Sequence, residues 1–194
     1  MFIAQLTFLQ EKDITPIYVF DGPVPDIKKN TIDKRSANRI VMQGGGSYYI
    51  LLLQNIFKQR SVEFVVAKND AEKECAELCK QGKADVVVSA DGDCLAFGAP
   101  LMLRNLSTNK KKTGMQTLDL DTILKYFDWD APKFVDFCIL SGCDFTAKVK
   151  GVGPKKARDI IDKYGSISTW VEKTKPQLPE NFNFSHAQDY FLGK

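Results

Sequence analysis

The stretch Val86-Val87-Val88-Ser89-Ala90-Asp91-Gly92-Asp93 decides how the rest of this chain is interpreted. A short, continuous apolar run is typical of a strand that is buried in a parallel sheet. Two carboxylates follow it, two residues apart, with a glycine between them that lets the backbone bend. Ligands of open parallel sheets bind beyond the carboxyl ends of the strands. The stretch therefore predicts an α/β fold with a ligand site at the end of this strand.

Four further acids stand in comparable settings, each shortly after an apolar segment: Asp21, Asp70, Glu72 and Asp144. With Asp91 and Asp93 they make a set of carboxylates in a chain that has a single histidine. Oxygen ligands without imidazole favour Mg²⁺ or Mn²⁺, and close carboxylates repel one another unless cations neutralise them. The set predicts a metal site for phosphate chemistry. The alternative is that these acids cap helices and turns, which would account for any one of them taken alone.

Composition narrows the class of protein without fixing its partner. The chain has 194 residues, 44% of them apolar, which is enough for a sizeable core. Its net charge of +3 is too small to establish nucleic-acid binding. The five cysteines show no disulfide framework and no secretory signal precedes them, so we expect reduced thiols in an intracellular protein. No apolar run approaches the roughly 18 residues of a membrane span, so we expect no membrane partner.

The order of predicted elements gives an α/β half followed by a helical half. Strands and helices alternate from Val62 to Leu106, which is the pattern of a mostly parallel twisted sheet flanked by helices. We place this half at residues 1–118 and the helical region at residues 119–194. A polar stretch at 107–114 predicts a surface loop. Helices in the first half are predicted over Phe2–Gln10, Lys28–Met42 and Tyr48–Arg60.

The second motif is Gly151-Val152-Gly153-Pro154-Lys155-Lys156-Ala157. A glycine turn with proline at the first helical position is a natural helix start. The first turn of such a helix presents unpaired N–H groups to an anion, and Lys155 and Lys156 add positive charge. The arrangement resembles the hairpin of a helix-hairpin-helix element, which grips a nucleic-acid backbone without reading its sequence. The plainer alternative is an ordinary helix start with solvated lysines.

A basic helix follows Asp21 in the sequence. Lys28 and Arg35 are seven residues apart, which places them on one helix face about two turns from each other. A solvated charged face is the usual explanation for such residues. Because they follow a predicted metal site closely, they are also candidates for a clamp on phosphate.

Several stretches match one family in the family's own order. They are Tyr18-Val19-Phe20-Asp21-Gly22, Asn69-Asp70-Ala71-Glu72, Asp91-Gly92-Asp93-Cys94-Leu95-Ala96-Phe97-Gly98, Cys138-Ile139-Leu140-Ser141-Gly142-Cys143-Asp144-Phe145 and the hairpin motif above. The chain thereby resembles the flap endonuclease branch of the XPG-type structure-specific 5′ nucleases, from near its start to about Leu192. The resemblance implies a PIN-like α/β nuclease core, with helix-hairpin-helix DNA binding in the helical region.

The resemblance assigns roles to the candidate residues. It implies that Lys28 and Arg35 contact the scissile phosphate, and that the hairpin, through Gly151, Gly153, Lys155 and Lys156, holds duplex DNA with a bound K⁺. It implies Mg²⁺-dependent hydrolysis of branched or flapped DNA by two ions, for which Mn²⁺ can substitute. It further implies nuclear work in DNA replication and repair, with a sliding clamp as a partner. The metal ligands that it implies are Asp21, Asp70, Glu72, Asp91, Asp93 and Asp144.

The chain departs from the family pattern in three places. Family members begin with a Met-Gly start and an early strand with another metal-site aspartate, and this sequence begins downstream of both. The helical arch of the family is replaced by Val41 to Tyr48, where Gly44-Gly45-Gly46-Ser47 has the composition of an engineered linker or of a natural short loop. Asp70 stands where the family more often has glutamate.

These departures leave several expectations open. We expect weak or absent nuclease activity, and an open sheet edge that invites self-association or a partner fragment. The sliding-clamp segment would lie in a tail that this sequence lacks. Two other functions fit the same fold: a non-catalytic DNA-binding scaffold, which would be expected to have lost some of the acids, and an RNA-processing nuclease.

Overall fold

The computed structural model of the protein describes residues 2–23, 45–106 and 114–194. The predicted basic helix over Lys28–Met42, with Lys28 and Arg35, lies outside these residues. So does the predicted surface loop, apart from its last residue.

The first half alternates helices and strands, as the sequence predicts. Helix α1 over Phe2–Gln10 agrees with the predicted range. The helix over Gly45–Gln59 agrees with the predicted Tyr48–Arg60 to within a few residues. The elements in chain order are α1 (Phe2–Gln10), β1 (Tyr18–Phe20), α2 (Gly45–Gln59), β2 (Phe64–Val66), α3 (Ala71–Lys80), β3 (Val87–Val88), α4 (Asp93–Ala96) and β4 (Leu101–Arg104).

The strands form two small sheets rather than one. In the first sheet β1 runs parallel to β2, with Tyr18 opposite Phe64. In the second, β3 runs parallel to β4, and β4 pairs in antiparallel fashion with β5 (Gln116–Asp119). Helix α3 packs against both β1 and β3, so the two sheets share one covering helix. The mostly parallel pairing agrees with prediction, whereas β5 was not predicted, because its side chains are largely exposed and give no apolar pattern.

The second half is helical, in agreement with the sequence. Side chains cap most of these helices: Asp119 accepts a hydrogen bond from the Thr122 amide, and Ser166 accepts one from the Thr169 amide. The last helix begins well beyond Lys173, where the predicted helical pattern ended. The helices are α5 (Leu120–Phe127), α6 (Ala131–Ser141), α7 (Pro154–Tyr164), α8 (Ile167–Thr174) and α9 (Phe184–Leu192).

One hydrophobic core joins the strands to the C-terminal helices. Met102 of β4 and Ile139 of α6 belong to the same buried cluster, together with Ile161 of α7. The core thus crosses residue 118, and the domain boundary placed there stays a prediction. A smaller cluster of Leu6 and Phe57 packs under β1 and β2. Within the described ranges, no helix is both long enough and apolar enough to span a membrane.

The buried carboxylate of Asp136 ties three C-terminal helices together. Asp136 lies on α6 and is 3% exposed. One of its oxygens accepts a hydrogen bond of 2.8 Å from the Ile167 amide at the start of α8, and the other accepts one from the Gln188 side chain of α9. Burial raises the pKa of this carboxyl above its usual range, and the two hydrogen bonds oppose that shift. Asp136 is therefore a structural acid whose oxygens both have donors.

We expect Asp136→Ala to lower the free energy of unfolding by about 1–3 kcal/mol, because it leaves a buried N–H of Ile167 without an acceptor. Asp136→Asn should cost less, since a side-chain oxygen remains to accept from that amide. Urea unfolding monitored by circular dichroism measures both, with the exposed Asp189→Ala of α9 as the control. Equal stability of parent and Asp136→Ala would contradict this account.

Gly22, directly after Asp21, allows the end of β1 to pass close to the segment that follows β2. Its N–H donates to the Asn69 carbonyl at 2.9 Å. A Cβ at this position would lie 2.0 Å from the carbonyl oxygen of Ala67, so only glycine fits without a backbone shift. The contact fixes Asp21, the residue before Gly22, beside the start of α3.

Gly22→Ala should therefore destabilise the fold by about 1–3 kcal/mol, the usual cost of forcing extra atoms into a packed region. Gly92→Ala is the matched control, because a Cβ there meets no atom within 4 Å. Thermal unfolding of the two variants against the parent is the measurement. A Gly22→Ala protein as stable as Gly92→Ala would contradict this account, because the backbone would then accommodate the added Cβ without loss of stability.

Candidate metal centre

Three of the predicted acids form one compact cluster. The carboxylate oxygens of Asp21, Asp70 and Glu72 lie within 4.8 Å of one another, and this is the one such group among the residues that the structure describes. Asp21 follows β1, Asp70 is the N-cap of α3, and Glu72 is in the first turn of α3. The cluster thus forms where the carboxyl ends of the parallel strands β1 and β2 meet a helix N-terminus.

A hydrogen bond between distant segments sets this geometry. Asp21 Oδ1 accepts from the Ala71 amide at 3.0 Å, so an acid at the end of β1 caps helix α3. Asp70 occupies the N-cap position but makes no capping hydrogen bond with its own helix. It is 3% exposed and interacts with Glu72 instead. Helix capping therefore explains one oxygen of Asp21 and leaves the burial of Asp70 to be explained.

The electrostatics of the cluster favour a cation. Burial, a hydrogen bond with Asp70 and the negative charges of Asp70 and Asp21 raise the pKa of Glu72 to about 7. The three carboxylates are thus too close to be fully ionised together without a neutralising charge. Hard oxygen donors at this spacing suit Mg²⁺ or Mn²⁺, so the residues present fit the divalent metal implied by the family resemblance.

Asp91 and Asp93 lie in a turn that is held by hydrogen bonds. The Ser89 hydroxyl accepts from the Asp91 amide at 3.0 Å, and Asp91 Oδ1 accepts from the Asp93 amide at 3.0 Å. From β4, the Arg104 guanidinium donates to the Ala90 carbonyl at 2.8 Å. The turn therefore presents its carboxylates on a fixed backbone at the end of β3.

Asp91, Asp93 and Asp144 do not join the compact cluster among the described residues, although their charges act on nearby cysteines. After burial itself, the charges of Glu72 and Asp91 help to raise the pKa of the Cys94 thiol to about 12. Those of Asp93 and Asp144 act in the same way on Cys143, whose pKa is about 11. The six acids therefore divide into the compact cluster and a looser group of Asp91, Asp93 and Asp144. All five cysteines are free, as predicted.

The hairpin motif lies between α6 and α7, which pack against each other. Gly151 has a φ of +75°, a conformation that favours glycine. Gly153 is the N-cap of α7 and Pro154 is its first residue, as the sequence predicted. Lys155 and Lys156 are exposed on the first turn. The structure thus confirms the helix start, and contact of this turn with DNA stays a prediction.

Two residues near the site were not predicted from the sequence. Arg104 holds the Asp91 turn, and Tyr190 of α9 lies beside α3, where Lys73 Nζ is 4.5 Å from its ring centroid. The position of Arg104 at the end of a strand was a weak signal for the first. No local pattern could have identified the second, because the contact joins segments more than a hundred residues apart.

Two family models match most of the chain. The XPG N-terminal domain matches residues 1–41, and the XPG I-region matches residues 61–144. Flap endonuclease 1 of Cryptosporidium parvum is 32% identical over 97% of this chain and 46% of its own length. Flap endonuclease 1 of Ovis aries is 34% identical over 95% of this chain and 56% of its own length. The chain thus spans about half the length of these curated relatives.

Solved structures share the fold. The catalytic core of Rad2 in complex with a DNA substrate superposes with a TM-score of 0.83, at 22% identity over 98% of this chain and 69% of that one. Flap endonuclease-1 from Methanococcus jannaschii gives a TM-score of 0.77, at 22% identity over 98% of this chain and 66% of that one. GEN1 in complex with product DNA and Mg²⁺ gives 0.69, at 23% identity over 98% and 49%. From its family matches and curated relatives, the chain belongs to the XPG family, on the flap endonuclease branch.

Proposed function

We propose that this chain is the core of a structure-specific 5′ flap endonuclease and 5′–3′ exonuclease that hydrolyses DNA phosphodiesters with divalent metal. The observation that carries the proposal is the cluster of Asp21, Asp70 and Glu72, whose ligand atoms lie within 4.8 Å of one another. Its mutual repulsion needs a cation, and its place beyond β1 and β2 is where ligands of parallel sheets bind.

Asp21, Asp70 and Glu72 would hold one ion, and the looser group of Asp91, Asp93 and Asp144 would hold or orient the second. When bound, a pair of Mg²⁺ or Mn²⁺ ions activates the attacking water and stabilises the leaving oxygen of the phosphodiester. The turn of Ser89 to Asp93 keeps its acids in place through backbone hydrogen bonds, so little reorganisation is needed during reaction.

Positive residues would bring the phosphates to these acids. Lys28 and Arg35, on the segment after β1, would neutralise charge that develops on the scissile phosphate. Lys155, Lys156 and the amides after Gly153 would hold duplex DNA away from the reacting phosphate, with K⁺ at the Gly151 turn. Lysine contacts with phosphates do not read the DNA sequence. The substrate would therefore be selected by its branched shape.

The competing functions differ in what they require of the acids. A non-catalytic scaffold has no need of six such carboxylates, three of which have their oxygens within 4.8 Å of one another. An RNA-processing nuclease would use the same acids, and cleavage of matched DNA and RNA substrates separates it from the DNA enzyme. A nuclear role in replication and repair, a sliding-clamp partner and self-association through a sheet edge stay predictions.

Cleavage of a labelled 5′-flap DNA in Mg²⁺ tests the proposed function. We expect cutting by the parent chain to be weak and Asp91→Ala/Asp93→Ala to lose at least about 100-fold of it, because the ligands of one ion are gone. Asp85→Ala/Asp121→Ala, which removes the same charge from exposed positions elsewhere, should cut like the parent. Cutting that survives in the first variant would contradict the proposed site, and flap binding without cutting by any protein would favour the scaffold.

Binding of the same flap in Ca²⁺ or EDTA tests the hairpin independently of chemistry. Lys155→Ala/Lys156→Ala should weaken binding and reduce the slope of log K against log salt by about 2, because two phosphate contacts are lost. Lys83→Ala/Lys173→Ala, also exposed, is the control. An unchanged slope would show that the two lysines do not contact phosphate and that the motif is an ordinary helix start.

A further inference from the structure

The side chain of Tyr190 lies where several acid-bearing elements meet. Tyr190 is on the last helix, α9. Its ring centroid is 4.8 Å from that of Phe145 and 5.8 Å from that of Phe97. Lys73 Nζ lies 4.5 Å from the same centroid and donates to the Tyr190 carbonyl at 3.3 Å. One aromatic residue therefore contacts three separate segments of the chain.

Each of these contacts lies on a segment that carries a candidate metal ligand. Lys73 follows Glu72 on α3, and Phe145 follows Asp144. Phe97 ends the short helix α4, which begins at Asp93. The residues that contact Tyr190 thus lie on the same segments as acids of both the compact cluster and the looser group.

The hydroxyl of Tyr190 has a different environment from its ring. Its oxygen is buried and has no hydrogen-bond partner among the described residues. Burial, and to a lesser degree the negative charge of Asp70, raises the pKa of Tyr190 to about 12, so the group remains a donor at neutral pH. A buried hydroxyl without an acceptor is costly, and phenylalanine would pack equally well against the neighbouring rings. The hydroxyl therefore calls for an acceptor, and the contact of the ring with Lys73 places Tyr190 beside the start of α3, where Asp70 and Glu72 lie.

We propose that Tyr190 is a positioning residue of the metal centre. Its ring holds α3, α4 and the Asp144 turn in one arrangement, and its hydroxyl donates to the acidic cluster, directly or through a water, when the carboxylates are ionised around a cation. The inference rests on the proposed function, because it assumes that the cluster binds divalent metal. It differs from a purely structural role in giving the hydroxyl itself an effect on metal affinity.

Binding of Mn²⁺ to the whole chain without DNA tests this, with free Mn²⁺ measured by electron paramagnetic resonance. Tyr190→Phe keeps the ring and removes the donor, and it should bind Mn²⁺ about 10-fold more weakly, the effect typical of lost partners of metal ligands. Tyr164→Phe is the matched control, because Lys163 Nζ lies 5.2 Å from the Tyr164 ring centroid in a similar pair. Tyr164→Phe should bind like the parent.

A spectroscopic signature and an unfolding measurement complete the experiment. Addition of Mg²⁺ should change the tyrosine ultraviolet difference spectrum of the parent and of Tyr164→Phe, and should leave Tyr190→Phe without that change. Thermal unfolding of the metal-free proteins shows whether Tyr190→Phe keeps the fold. Because Tyr190→Phe and Tyr164→Phe both keep the ring, their comparison isolates the effect of the Tyr190 hydroxyl.

Two results would overturn the inference, and only the second would also overturn the proposed function. Mn²⁺ affinity of Tyr190→Phe within twofold of the parent would leave the metal centre intact and make Tyr190 a core residue only. Absence of Mn²⁺ binding by the parent itself would remove both this inference and the proposed function. Weaker Mn²⁺ binding in Tyr190→Phe, with an unchanged unfolding temperature and loss of the spectral signal, supports the positioning role.

Discussion

The hydrogen bond from the Ala71 amide to Asp21 is the interaction on which the metal centre depends. It fastens the end of β1 to the first turn of α3, although the two residues are fifty positions apart in sequence. Asp21 thereby stands beside Asp70 and Glu72, which α3 itself provides. The close approach at Gly22 fixes the same junction from the backbone side. One cap between segments thus assembles ligands that no local stretch of sequence contains.

Repulsion among the carboxylates of Asp21, Asp70 and Glu72 favours the binding of a cation where β1 meets α3. Asp136, a structural acid, has donors from Ile167 and Gln188 on both of its oxygens, whereas the carboxylates of the cluster have one another as close neighbours. In the cluster, partial burial and then the neighbouring acids Asp70 and Asp21 raise the pKa of Glu72 to about 7. The folded chain maintains an unfavourable charge arrangement that a divalent cation would convert into a favourable one.

The sequence predicted the elements more fully than their assembly. Apolar runs followed by acids located β1, β2 and β3, because strand ends and their turn residues are local signals. The same pattern missed β5, since an exposed edge strand lacks apolar alternation. It also missed Arg104 and Tyr190, whose roles arise only when β4 meets the Asp91 turn and α9 meets α3. Contacts between distant segments depend on how the core packs, which local composition does not encode.

The aspartates at the starts of three helices show why position alone could not separate structural from functional acids. Asp119 and Asp130 each accept a hydrogen bond from an amide in the first turn of the helix that they precede, and both are exposed. Asp70 has the same N-cap position with an extended backbone, yet it makes no such bond and is buried. Its helix is capped by Asp21 instead. Because Asp21 caps this helix, Asp70 does not serve as its cap, and its buried carboxylate has oxygens of two other acids within 4.8 Å. This arrangement argues for a binding site more strongly than the number of acids does.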